Sequence, residues 1–147
     1  MIPLYIFDLD GTLADIRHRR HFVEGEKKDW RAFFAACVDD EPMRGVITTL
    51  NMLSSLADIW IWSGRSDEVE LETLSWLGRH CEKWPAKVRM RRAGDHQPDE
   101  KLKASWLAEM SDHDRGRLVA IFEDRDRMVK LWRDNGIQCF QVAPGDF

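Results

Sequence analysis

The first residues with chemical potential stand at the end of an apolar run. Ile2 to Phe7 reads IPLYIF, and Asp8, Asp10, Gly11 and Thr12 follow in the stretch FDLDGT. Two carboxylates that close repel each other and lose hydration, so they need a cation between them. At positions i and i+2 beyond a strand end, the pair can divide labour. One can attack phosphorus and form an aspartyl-phosphate; the other can protonate the leaving oxygen and later take a proton from water. Two more apolar runs end in polar residues: Ser63-Gly64-Arg65 follows DIWIW, and Glu123-Asp124 follows LVAIF. Asp8, Asp10 and Asp124 are hard oxygen ligands of the kind Mg²⁺ takes alongside water and a phosphate oxygen. The Ser63 hydroxyl, adjacent backbone N–H groups and a lysine would hold the transferring phosphoryl group.

For these polar breaks to meet, the strands that carry them must lie side by side. Strands are predicted at 2–8, 58–62, 87–91, 117–122 and 137–142, from short apolar or alternating runs. Helices are predicted at 45–57, 67–79, 99–110 and 126–135, the last ending at Gly136. This alternation predicts an α/β three-layer sandwich around a mostly parallel five-stranded sheet. In such a sheet ligands bind outside the carboxyl ends of the strands, where all three breaks fall. The stretch 14–43 breaks the alternation and is helical only at 29–38, so it reads as a small helical cap insert.

Composition sets the bounds. With 147 residues and no linker or repeat, residues 1–147 suit one domain. The balance of 44% hydrophobic and 33% charged residues is that of a folded chain rather than a disordered one. No apolar stretch approaches a membrane span and no basic leader opens the chain, so the expectation is a cytosolic protein without a membrane partner. Three scattered cysteines, Cys37, Cys81 and Cys139, argue against a disulfide framework and have no zinc spacing. A net charge of −4 weighs against bulk adhesion to nucleic acid, though local basic clusters survive that average.

The motifs carry a resemblance. FDLDGT at 7–12, WSGR at 62–65 and FEDRD at 122–126 resemble the first, second and fourth signatures of the haloacid dehalogenase superfamily. The third, a lysine on the helix before the fourth strand, is best matched by Lys103, with Lys101 its rival. The resemblance implies Asp8 as nucleophile, Asp10 as general acid and base, Ser63 and Lys103 as phosphoryl-binding groups, and Asp124 as a Mg²⁺ ligand. With RRAGD at 91–95 and the tail EDRDRMVKLWRDNGIQCFQVAPGDF, nearly the whole chain resembles the 3′-phosphatase domains of bacteriophage polynucleotide kinase-phosphatases. That likeness adds Arg65, Asp95 and Arg19 as functional positions, with Arg17 and Arg20 as alternatives to Arg19. Two departures stand out: no P-loop is present, so the kinase half is missing, and Glu123 stands where a second Asp is expected.

Blander readings compete for some residues. Ser66, followed by Asp67 and Glu68, fits a helix cap better than Ser63 does. His18 and His21 lack a third soft ligand and are read as structural. Most of the seven tryptophans read as core, and Trp30 beside the insert is kept as a substrate contact. KVRMRR at 87–92 reads either as a charge-protected edge strand or as a track for a phosphodiester backbone. The expected function is a Mg²⁺-dependent phosphatase acting on nucleic acid 3′-phosphate ends, working beside a separate kinase or ligase. The alternatives are a nucleotidase or other small-molecule phosphatase, including one for 5′ ends, and a binding module with a silent site.

Overall fold

A computed structural model describes residues 1–147. The chain runs β1 (Leu4–Phe7), β2 (Ala14–Asp15), α1 (Trp30–Ala35), β3 (Glu41–Pro42), α2 (Arg44–Leu53), β4 (Asp58–Ser66), α3 (Glu70–His80) and β5 (Lys87–Arg91). It continues through α4 (Asp99–Glu109), α5 (Asp112–Arg117), β6 (Leu118–Glu123), α6 (Asp126–Asp134) and β7 (Cys139–Gln141). Five strands form one sheet in the order β5-β4-β1-β6-β7, and all four pairings are parallel. The chain moves outward from β1 to β4 and β5, then returns to β6 and β7 on the other side. That reversal places the switch point at β1, the position that binds ligands in open α/β sheets.

Side-chain alternation along the strands builds a core on each face. Leu4, Ile6, Trp60, Trp62 and Ile121 meet Leu102, Trp106 and Leu107 of α4 and Met128, Val129 and Trp132 of α6. On the opposite face Phe7, Ile59 and Ile61 meet Ile47 and Leu50 of α2 and Trp76 and Leu77 of α3. The result is the three-layer α/β sandwich expected from the sequence. Five of the tryptophans are core residues, while Trp30 and Trp84 remain half or more exposed. The three cysteines are free and buried, and no helix is long and apolar enough to cross a membrane.

Differences from the predicted elements have local causes. β1 begins at Leu4 rather than residue 2, after Pro3, which has no N–H for a ladder. The first core helix stops at Leu53, where Ser54 and Ser55 donate their hydroxyls back to the carbonyls of Asn51 and Met52. β4 runs past residue 62 to Ser66, because Ser66 still pairs with Arg91 across a register shift. Ser66 also caps the turn at Asp67–Val69 by accepting from Glu68 N–H. A short helix, α5, forms where no element is expected; Ser111 caps it by accepting from Asp114 N–H. Residues 14–43 leave the sheet and return through the antiparallel ribbon β2–β3, enclosing α1 and two 3₁₀ turns.

Candidate active site

The floor of the site is an acidic group at the ends of β1 and β6. Asp8, Glu123 and Asp124 are buried, and their carboxylate oxygens lie within 4.8 Å of one another. Gly11 makes this approach possible. It has φ +81°, and a Cβ there would lie 2.1 Å from Asp124 Oδ2. The Thr12 hydroxyl lies 3.4 Å from Asp8 Oδ2 and 3.3 Å from Asp124 Oδ1, so its one proton can serve either.

Lys103 is the single cation on this floor, with Nζ 2.7 Å from Asp8 Oδ1 and 3.6 Å from Glu123 Oε2. Burial works against its ammonium, but Asp8 and Glu123 hold it protonated, above the ordinary lysine value. Lys101, its rival, is exposed, whereas Lys103 is buried against Asp8. Burial, then repulsion from Glu123, pushes the Asp8 carboxyl up to about 8, against the pull of Lys103. Burial and Asp8 push Asp124 up to about 7, and burial raises Glu123. Fully ionised, three carboxylates and one ammonium leave two negative charges, which one divalent cation would cancel. The donors are all hard oxygens, and Glu123 Oε2 is buried without a hydrogen-bond partner. These residues fit a Mg²⁺-type ion.

The Asp10 carboxylate, expected among the Mg²⁺ ligands, lies outside the group formed by the carboxylates of Asp8, Glu123 and Asp124. The Asp10 carboxylate turns to two guanidiniums instead. Arg65 Nη2 lies 2.5 Å and Arg19 Nη2 2.8 Å from Asp10 Oδ1. Burial alone would raise Asp10, but Arg65 and Arg19 hold it below the usual carboxylate range.

Asp40 closes the same cluster from the cap. It accepts from Arg19 Nε and Nη2, both at 2.7 Å, and from Arg65 Nη2 at 3.3 Å. Two acids and two arginines thus form a neutral buried quartet joining the cap to β4. Arg19 is wholly buried, donates to Phe33 O and lies 4.4 Å from the Phe33 ring centroid. It does not line the cavity and meets Asp10 instead. Arg17 turns to Asp15 at the surface, whereas Arg20, paired with Glu24, lines the cavity beside the Phe147 ring.

Above the floor lies a cavity of about 820 Å³, roofed by the cap and lined by Asp8, Asp10, Gly64, Arg65, Asp95, Lys103 and Trp30 among others. Ser63 is buried beside it; its Oγ accepts from Arg65 N–H, and its own proton makes no hydrogen bond within the protein. The backbone N–H groups of Leu9 and Asp10, next to Asp8, also lack partners within the protein. Gly64 admits Asp99, whose Oδ1 would lie 2.5 Å from a Cβ at that position. Asp99 joins Arg91 of β5 to Arg125 after β6, the latter at 3.0 Å. Asp95 lies at the rim, where its carboxylate accepts from Gln97 N–H and Nε2. The acid held at the site's edge by two arginines is therefore Asp99, four residues before Lys103 on one helix face.

Residues 3–147 match the family described as Polynucleotide kinase PNKP phosphatase domain. The chain belongs to this family. A relative from Autographa californica nuclear polyhedrosis virus, named for combined polynucleotide kinase and RNA ligase functions, is 30% identical over 131 residues. That match covers 86% of this chain and 17% of the relative. A chain of the solved Pnkp1/Rnl/Hen1 complex superposes with a TM-score of 0.82 at 25% identity, covering 99% of this chain and 48% of its own. The chain thus spans less than half the length of either relative. A class C acid phosphatase from Bacillus anthracis, solved with tungstate, shares the fold with a TM-score of 0.68 at 16% identity, covering 99% of this chain and 67% of its own.

As a PNKP-type phosphatase domain of the haloacid dehalogenase superfamily, the chain is a phosphoric monoester hydrolase. Two site residues escaped sequence reasoning for different reasons. Asp99 had a legible signal, its i,i+4 spacing from Lys103. Asp40 had none, because its partners Arg19 and Arg65 lie 21 and 25 residues away in sequence.

Proposed function

We propose that this domain removes the 3′-phosphate from polynucleotide ends through an aspartyl-phosphate on Asp8. The observation that carries the reading is the pairing of Asp8, at the cavity floor against Lys103, with Asp10, two residues on and held apart from the acidic group. Asp8 attacks phosphorus in line, and the bond from phosphorus to the 3′ oxygen breaks. Asp10 supplies the proton that the departing oxygen takes. Water then attacks the phosphorus of the acyl phosphate, Asp10 accepts its proton, and inorganic phosphate leaves with Asp8 restored.

Asp10 is ionised in the resting quartet, so it must gain a proton affinity it lacks at rest. A phosphate dianion entering the cavity competes for Arg65, loosens its hold on Asp10 and raises that affinity. Lys103, the Ser63 hydroxyl and the N–H groups of Leu9 and Asp10 supply donors for the charge on the transferring phosphoryl group. Mg²⁺ held by Asp8, Glu123 and Asp124 would neutralise the floor and clamp one phosphoryl oxygen.

The polynucleotide part rests on the family and on the viral relative's name. The product of the reaction, a free 3′-hydroxyl, is the end a ligase joins, which fits work beside a separate kinase or ligase. The test is phosphate release with Mg²⁺ from a 3′-phosphorylated oligonucleotide, its 5′-phosphorylated counterpart and a 3′-mononucleotide. Release from the 3′-phosphorylated oligonucleotide supports the proposal. Hydrolysis confined to the mononucleotide would make the domain a nucleotidase.

A further inference from the structure

We propose that Trp30 is a stacking platform for the last base of a single-stranded 3′-phosphorylated end, which makes the cap a base-holding wall as well as a roof. The inference rests on the 3′-phosphatase reading and deepens it. Two tryptophans are substantially exposed, Trp30 at 50% and Trp84 at 66%. Only Trp30 lines the cavity above Asp8. Trp84 instead lies against Gly78 of α3.

Trp30 is held rather than loose. It opens α1, which Asp29 caps by accepting from Ala32 N–H. Its ring meets Phe33 edge-on, at 88° and 5.7 Å between centroids, and Phe34 at 6.0 Å. With half of its surface exposed, the indole stays open on its cavity side to a second π-system. Phe33 in turn covers Arg19, which grips Asp10. One chain of contacts therefore fixes the platform relative to the group that handles the leaving oxygen's proton.

Charge at the rim favours a nucleic acid strand over a neutral aromatic ligand. Most acids around the cavity are already engaged: Asp99 with Arg91 and Arg125, Glu100 with Arg127, and Glu24 with Arg20. Lys28 and Arg31, two residues before and one after Trp30, and Arg92 after β5 line the same space and pair with no acid. Cations around one exposed aromatic ring are the parts of a sequence-tolerant single-strand grip, because every base has a π-face. A base paired in a duplex is not free to lie on the indole.

The test compares two single-stranded 3′-phosphorylated oligonucleotides that differ only in an abasic terminal sugar. For the wild-type protein the base-bearing end is preferred in kcat/KM, mainly through KM. In Trp30→Ala that preference falls by about 5- to 150-fold, the range for one base stacked on one ring. Trp30→Phe, which keeps a ring, retains most of it. A preference unchanged in Trp30→Ala, or equal losses on both oligonucleotides, overturns the inference. Wild-type protein that treats both ends alike also overturns it and leaves the 3′-phosphatase reading intact. Hydrolysis of glycerol phosphate with no action on either oligonucleotide removes that reading and this inference together.

Discussion

Asp40→Asn perturbs the quartet that holds Asp10. The side chain keeps its shape and one oxygen but loses a negative charge, and it turns an amide donor toward a guanidinium. Four contacts are affected: Arg19 Nε, Arg19 Nη2 and His18 Nε2, each at 2.7 Å, and Arg65 Nη2 at 3.3 Å. Arg19 and Arg65 would then share one carboxylate, leaving an uncompensated positive charge in a buried place. Breaking a buried ion pair from one side costs about 3–5 kcal/mol. For a domain of this size each kcal/mol moves the melting temperature by about 2–4 °C, so a drop of about 6–20 °C is expected. Activity should fall as well, since both guanidiniums now pull on Asp10 alone and make it a poorer proton donor. The loss of kcat should be about tenfold or more on an alkyl phosphate. It should be smaller on p-nitrophenyl phosphate, whose leaving group needs no proton. Thermal melts and the kcat ratio between the two substrates check this. A melting temperature within about 2 °C of wild type, together with an unchanged ratio, would refute the reasoning.

Lys103→Met should cut kcat by about 10²–10³, the scale for losing one charge-stabilising donor, while Lys101→Met leaves kcat unchanged. Equal effects in steady-state assays would contradict the separation of the two lysines. Gly11→Ala should weaken Mg²⁺ binding, read by calorimetric titration, because its methyl group would displace Asp124 from a position only 2.1 Å away. The metal-free protein should lose stability between pH 5 and pH 8. Asp8 and Asp124 keep their protons to about 8 and about 7 when folded, whereas the unfolded chain gives them up near 3.8. The unfolded state thus binds fewer protons in that window, and stability falls as pH rises. Mg²⁺ should therefore raise the melting temperature more at pH 8 than at pH 5; the reverse order in EDTA and Mg²⁺ melts would count against the acidic floor as a cation site.

What was legible in the sequence followed from short-range physics. Apolar runs ending in FDLDGT, SGR and FED marked the three central strands, and the rule for strand ends placed their polar residues together. The resemblance left Lys101 beside Lys103 as a rival, and burial on the helix is what tells them apart, with Leu102, Lys103 and Trp106 packed inward. The cap was less legible, because it is organised by buried ions rather than by an apolar stripe. Arg19 and Asp40 look like ordinary surface residues until the fold pairs them and brings Arg65 beside them. Asp95 is implied by the resemblance alone, since a Gly-Asp step usually marks a turn, and its side chain folds back on Gln97 as turn residues do. Asp99, concealed in a charged run at a helix start, holds Arg91 and Arg125.

The most direct test of the account is intact-mass analysis of the Asp10→Asn variant mixed with Mg²⁺ and p-nitrophenyl phosphate, whose leaving group departs without the proton that Asp10 supplies. Without Asp10 to activate water, one phosphoryl group should accumulate on the protein and map to Asp8. Phosphoryl transfer to a different residue, or phosphate release by folded Asp8→Asn protein, would contradict it.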